Sequence, residues 1–237
     1  MRELDRWQNY PVFDDLLQIR SPGVCFYALR DGDSVYVIDG GFIGGEKRLY
    51  AALRNHGWSD LPIRGILITH GHLDHVYNVA QLAAESNCWI FGPLLDEKHY
   101  EGRFNYRGMS RVCGWLESLC RSVFGYTRFR IDRFLADGDE IPIWGGLRAI
   151  HLPGHTDGHM GFYSAKRRLL FCGDLFASLG RFSHLPPNIF NSHPDMIPAS
   201  INKSLALDLV AIAPNHCDNA SYESHLFRLH ALQKQKC

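Results

Sequence analysis

Within six residues, His70-Gly71-His72-Leu73-Asp74-His75, four side chains offer a nitrogen or oxygen to a metal. The run follows an apolar segment, Ile63–Thr69, that reads as a strand. Positions i, i+2, i+4 and i+5 diverge on a continuing strand or helix, but a loop that has left the strand can turn them to one point. Three imidazoles and a carboxylate gathered over an apolar strand face desolvation costs of several kcal/mol that a bound cation offsets. Four ligands can satisfy one zinc, but a catalytic metal keeps a position open for water, so further ligands would point to two metals. Three candidates stand at other strand-to-loop junctions: His155 in LPGHTDGH, Asp174 in LLFCGDLF and His216 in IAPNHCD. Together, His70, His72, His75, His155 and His216 with Asp74 and Asp174 are enough for two metals sharing a water and one carboxylate.

The elements that must carry these residues follow from pattern. Val24–Leu29 and Ser34–Ile38 read as a hairpin bounded by Pro22-Gly23, Asp31-Gly32 and Asp39-Gly40-Gly41. A helix is predicted over Glu46–His56, a strand buried on both sides over Ile63–Thr69, a helix over Val76–Glu85 and another buried strand over Cys88–Phe91. Strands resume at Gly138–Trp144, Leu147–Leu152, Gly161–Ser164 and Leu169–Phe171, followed by a helix over Ile197–Leu207, a strand over Val210–Ala213 and a helix over Tyr222–Gln235. Strands followed by helix occur in both halves, which predicts two similar layers packed face to face.

Between the halves, residues 96–133 break the pattern. The segment carries Arg103, Arg107, Arg111, Arg121, Arg128, Arg130 and Arg133 among aromatic residues that include Phe104 and Tyr106. Met109, Val112, Leu116, Leu119 and Val123 recur at helical spacing, which predicts one amphipathic helix in an inserted cap. Its apolar face is expected to be ordinary core. The sharper alternative is a lid or homodimer surface at the active site, with the arginines serving an anionic small-molecule substrate.

With 25 basic and 25 acidic residues among 237, the chain has no formal net charge, which argues against nucleic acid or an acidic membrane held by a general basic field. Hydrophobic residues make up 46%, enough for a core, and the expected organisation is a single domain over 1–237. No apolar run approaches the roughly 18 residues of a membrane helix. Seven cysteines without a CxxC pair, and no leader-like stretch in residues 1–20, lead to the expectation of a cytoplasmic protein.

THGHLDH, followed in order by PGHTDGH, CGD and PNH, resembles the metallo-β-lactamase-fold hydrolase superfamily over about residues 20–220. The resemblance implies an α+β fold, a four-layer αββα sandwich with the metals at one edge between its sheets. It implies His70, His72 and His155 for a first metal, Asp74, His75 and His216 for a second, and Asp174 as the bridge. Zinc is the expected metal, and iron or manganese suits the same ligands. Two divalent cations, two carboxylates and a shared hydroxide leave a net charge of about +1, which suits a hydroxide nucleophile and an oxyanion. Asp74 would orient that hydroxide and pass a proton to the leaving group. Asp39 matches a family aspartate beside the metal loop and is expected to orient a ligand, while His159 is expected to make a structural hydrogen bond. His184 and His193 are weaker candidates for bordering the pocket.

The bridging aspartate favours the glyoxalase II-like and lactonase-like branch over true β-lactamases. GDLFASLGRF resembles the glyoxalase II loop after that aspartate, which makes Arg181 a candidate substrate-binding residue, with Tyr106 of the insert as another. The resemblance departs at Asp157, where the family's HTPGH has proline, and in the short segment after His216, where glyoxalase II continues into a helical domain. The expected activity is hydrolysis of a thioester, lactone or phosphoester. A mononuclear iron dioxygenase acting on a persulfide, or a metal-binding sensor without significant turnover, stands as the alternative. Retention of the second-metal residues favours hydrolysis.

Overall fold

The computed structural model describes residues 13–234 apart from 104, 105, 107 and 109, so Phe104, Arg107, Met109 and Cys237 lie outside the described residues. Strands β1 (Leu16–Ser21), β2 (Val24–Asp31), β3 (Ser34–Ile38), β4 (Ile63–Leu67), β5 (Trp89–Pro93) and β6 (Arg133–Leu135) form a sheet in sequential order. The first two pairings are antiparallel, and those from β3 to β6 are parallel. The parallel part needs crossovers, and α1 (Gly45–Asn55), α2 (Leu73–Val76) with α3 (Val79–Ser86), and the helical segment α4 (Glu97–Tyr100) and α5 (Ser110–Val123) supply them. The second sheet is β11 (Ala211–Pro214), β10 (Leu169–Gly173), β9 (Met160–Ser164), β8 (Leu147–His151) and β7 (Glu140–Ile141) in that order, antiparallel except where β10 meets β11. Helices α6 (Ile197–Leu205) and α7 (Tyr222–Lys234) complete the chain of elements.

Strand alternation explains the layering. Tyr27, Leu29, Ile38 and Leu67 of the first sheet face Leu147, Phe162, Leu169 and Phe171 of the second in one core. Their neighbours Phe26, Ala28, Val37 and Ile66 turn outward onto Leu49 and Leu53 of α1 and Leu82 of α3. On the far side, Ile150, Leu170 and Ile212 pack against Ile197 and Ile201 of α6 and Leu226 and Leu229 of α7. Both faces of each sheet are therefore covered, which is why the central strands read as unbroken apolar runs. The architecture is the expected αββα sandwich. Among the described residues, no helix is long and apolar enough to cross a membrane.

Several elements differ from the pattern reading. The helix expected over Val76–Glu85 is two short helices, with Asn78 between them donating its amide to the carbonyls of Gly40, Gly41 and Phe42. The expected strand over Gly138–Trp144 shrinks to Glu140–Ile141, because Trp144 has φ of +53° and the backbone turns there. The largest correction concerns α5. Its buried positions are Ser110, Gly114, Glu117 and Arg121, while Val112, Trp115, Leu116, Leu119 and Val123 are 49–69% exposed. The expectation that its apolar face is ordinary core is therefore overturned: the polar face points inward.

Candidate metal centre

The loops after β4, β8, β10 and β11 meet at one edge of the sandwich. The ligand atoms fall into three groups, His70–His72–His155, His70–His75–Asp174 and Asp74–His75–His216, each within 4.8 Å. Asp174 stands between them. Its Oδ1 lies 3.3 Å from His75 Nε2, and its Oδ2 lies 2.9 Å from His216 Nε2, 3.4 Å from His155 Nε2 and 3.9 Å from His70 Nε2. Asp74 Oδ2 is 3.7 Å from His75 Nε2 and 3.6 Å from His216 Nε2. All seven residues expected to be ligands are thus brought together.

The imidazoles are held through their other nitrogen. Asp39 Oδ1 accepts the Thr69 N–H at 2.8 Å, and its Oδ2 accepts the Thr69 hydroxyl at 2.7 Å, His75 Nδ1–H at 2.9 Å and the Asn215 amide at 2.8 Å. With its proton on Asp39, the Thr69 hydroxyl oxygen accepts His70 Nδ1–H at 3.0 Å. His155 Nδ1–H donates to Asn191 Oδ1 at 2.9 Å, and His216 Nδ1–H to the Gly23 carbonyl at 2.7 Å. Each of these bonds fixes the tautomer that leaves the Nε2 lone pair for a metal. His159 holds Asp174 in turn, since its Nδ1–H donates to the Leu152 carbonyl and its Nε2 accepts the Asp174 N–H at 2.9 Å.

Sequence reasoning missed a second carboxylate. Asp96, fully buried, accepts the Gly71 N–H, the Thr156 hydroxyl and the Gly158 N–H at 2.7–2.8 Å, tying the loop of His70 to that of His155. The other end of the Gly71 peptide is held by Arg121 of α5, whose Nη2 donates to the Gly71 carbonyl at 2.9 Å and whose Nη1 donates to the His99 carbonyl at 3.0 Å. Glu117 pairs with Arg121 and accepts the Tyr106 hydroxyl. A Cβ on Gly71 would stand 2.3 Å from that of His99, so only glycine fits this clamp. Thr69 and Asn215 adjoin ligands in sequence and were open to inspection there, whereas nothing local to Asp96, Asn191 or Arg121 marks them.

The electrostatics suit a cation. Burial pushes the His70 and His72 imidazoles well below their usual range and so holds them neutral. Burial also opposes charge on Asp174, but the imidazoles of His216 and His75 outweigh it and hold the carboxyl well below the usual carboxylate range. Asp174 in turn raises His216 to about 9 against the effect of burial. Buried Nε2 atoms of His70, His72, His75 and His155, with Asp174 Oδ1, have no hydrogen-bond partner. Such convergent orphans in a native fold call for a ligand, and the nitrogen–oxygen donor set fits divalent cations.

Among the other expected residues, Tyr106 is buried and stacks on His72, with ring centroids 5.4 Å apart. Arg181 is exposed over the ring of Phe182 and does not line the cavity above the ligands. His184 lines that cavity, while His193 instead pairs with Asp157 at 2.8 Å.

The sequence profile of the Metallo-beta-lactamase superfamily matches residues 22–216. The chain belongs to this superfamily. It is 30% identical over 158 residues to the hydroxyacylglutathione hydrolase GloC of Haemophilus influenzae, a match covering 64% of this chain and 65% of that enzyme. It spans less than half the length of further hydroxyacylglutathione hydrolases that it matches. The probable metallo-hydrolase YybB of Bacillus subtilis is 25% identical over 234 residues, 96% of each chain. Among solved structures, TTHA1623 in a di-iron-bound form superposes with a TM-score of 0.64 at 25% identity, over 88% of this chain and 95% of that one. The superfamily setting agrees with a metal-binding reading of the His/Asp cluster.

Proposed function

We propose that this superfamily member is a cytoplasmic hydrolase that uses two divalent cations to cleave an ester or thioester of a small molecule. One observation carries the reading: seven side chains converge with their Nε2 and carboxylate atoms directed inward, five of those atoms without a hydrogen-bond partner, and five of the side chains line an open cavity. His70, His72 and His155 would hold one cation, Asp74, His75 and His216 the other, and Asp174 would reach both. Bound there, the cations supply Lewis acidity and make a nucleophile available from water near neutral pH. The protein's own part is to fix geometry, through Asp39, Thr69, Asn191, Asn215 and His159, and to keep His70 and His72 unprotonated by burial. Asp74 is the more exposed of the two carboxylates and faces the cavity, placed to orient water and to carry a proton toward the leaving atom.

Zinc is the proposed metal, and the same ligands accept iron or manganese. The di-iron form of the solved relative supports a pair of metals, and the hydroxyacylglutathione hydrolases support a thioester over a lactone or phosphoester. Elemental analysis of the native protein, combined with a panel of thioesters, lactones and phosphodiesters, tests the reading. Two metals per chain and turnover of a carbonyl ester are expected. A single tightly held iron with oxygen uptake and no hydrolysis overturns it. Asp174→Ala should lower metal content and turnover together, and a variant that keeps two metals and full turnover refutes the bridge.

A further inference from the structure

The cavity over the ligands has a volume of about 500 Å³, within the roughly 300–1,000 Å³ that holds small organic ligands. Its metal end is His72, Asp74, His155, Asp174 and His216. The rest of the wall is mainly apolar, with Phe42, Leu73, Leu116, Phe176, Leu179 and Phe190, and its one further imidazole among the described residues is His184. No lysine or arginine is among the described lining residues. Arg121, the insert arginine that holds the Gly71 carbonyl, is buried and occupied by Glu117, Gly71 and His99, so it offers no charge to a ligand. Glu117 reaches the cavity wall, but its carboxylate is matched by Arg121 and by the Tyr106 hydroxyl.

The inverted placement of α5 completes this wall. Its polar side is fixed against the metal loop, which leaves Leu116 lining the cavity together with Phe190, both still partly exposed at 49% and 44%. Apolar side chains exposed beside an active-site cavity gain free energy when a ligand covers them, whereas a charged group placed among them loses its hydration without a partner.

We infer that the substrate's acyl group is an uncharged apolar chain or ring, seated between α5 and the 176–190 segment with its carbonyl over the ligands. This rests on the hydrolase reading and names the substrate class within it, replacing the anionic substrate that the insert's arginines suggested.

The test uses the full chain with its metals and two matched series with acyl groups of two to ten carbons. In the first, S-acyl N-acetylcysteamine thioesters, kcat/KM should rise two- to fourfold per added methylene until the cavity is filled. A terminal carboxylate on an acyl chain of equal length should lower kcat/KM at least tenfold. The second series, non-hydrolysable N-methyl amides, is measured by calorimetry, and Kd should fall with chain length in parallel. Phe190→Ala and Leu116→Asp, checked for metal content and circular dichroism, should flatten both slopes. A flat amide series, or tighter binding of the carboxylate-bearing chains, overturns the inference whatever the turnover. An amide series that tightens with length while neither these thioesters nor the matching oxygen esters are cleaved supports the apolar seat and removes the hydrolase reading instead.

Discussion

Asp39 shows how much one side chain outside the ligand set can govern. It is fully buried, adopts φ of +62°, and its two oxygens receive four hydrogen bonds, from the Thr69 backbone, the Thr69 hydroxyl, His75 and Asn215. Through Thr69 it also sets His70, so one carboxylate orients an imidazole in each half of the proposed pair. Asp39→Ala leaves four buried donors without an acceptor. Metal affinity should fall about 10–100-fold, measured by competition with a chromogenic chelator, while a change under twofold would show that the ligands hold their own orientation. The proposed ligands themselves were legible in sequence because each sits in a short string after a strand. Asp39 was legible only through family resemblance, and Asp96 not at all, because its three partners lie 25, 60 and 62 residues away. Such a partner set is created by folding and leaves no local spacing to read.

At the scale of elements, pattern predicted α5 and misassigned its faces. Apolar residues at helical spacing normally mark the side that packs inward. Here Arg121, Glu117 and Tyr106 form a satisfied polar network against the Gly71 and His99 carbonyls, and that network fixes the inner face instead. A buried network with every member partnered is tolerated, but a half-satisfied one is costly. Arg121→Met therefore takes its charged partner from the buried Glu117 and frees the Gly71 carbonyl. It should destabilise the protein by about 3–5 kcal/mol in urea unfolding and weaken metal binding as well. Adding Glu117→Leu should restore much of that stability without restoring the hold on the metal loop. If the single variant keeps full metal affinity, the helix does not position the loop. The strands β2–β5 and β8–β11, by contrast, were read nearly to their ends, since an apolar run covered on both faces leaves little ambiguity, whereas β1 and β6 at the two edges of the first sheet were not read.

For the whole molecule, zero net charge and 13 histidines concealed a strong division of environments. Five histidines gather at the proposed metal centre, where protonation and metal binding compete. His225 of α7 is separate from them and fully buried, with Nδ1 2.7 Å from the Ser178 hydroxyl and Nε2 without a hydrogen-bond partner. Burial, reinforced by Arg228, lowers its pKa from 6.5 to about 4. Between those values the unfolded chain binds a proton at this position that the folded chain refuses, so stability rises with pH across the window and falls as pH drops below 6.5. Lowering pH from 7.5 to 5 should cost about 2 kcal/mol through His225 alone. The metal-site histidines add their own acid sensitivity, but it is common to wild type and His225→Gln. The difference between the two proteins in urea-unfolding free energy, followed from pH 7.5 to 5, isolates the His225 contribution. The wild type should lose about 2 kcal/mol more than the variant over that range. Parallel curves would mean that α7 opens to admit the proton before the sandwich unfolds, which would place this edge of the molecule among its least stable parts.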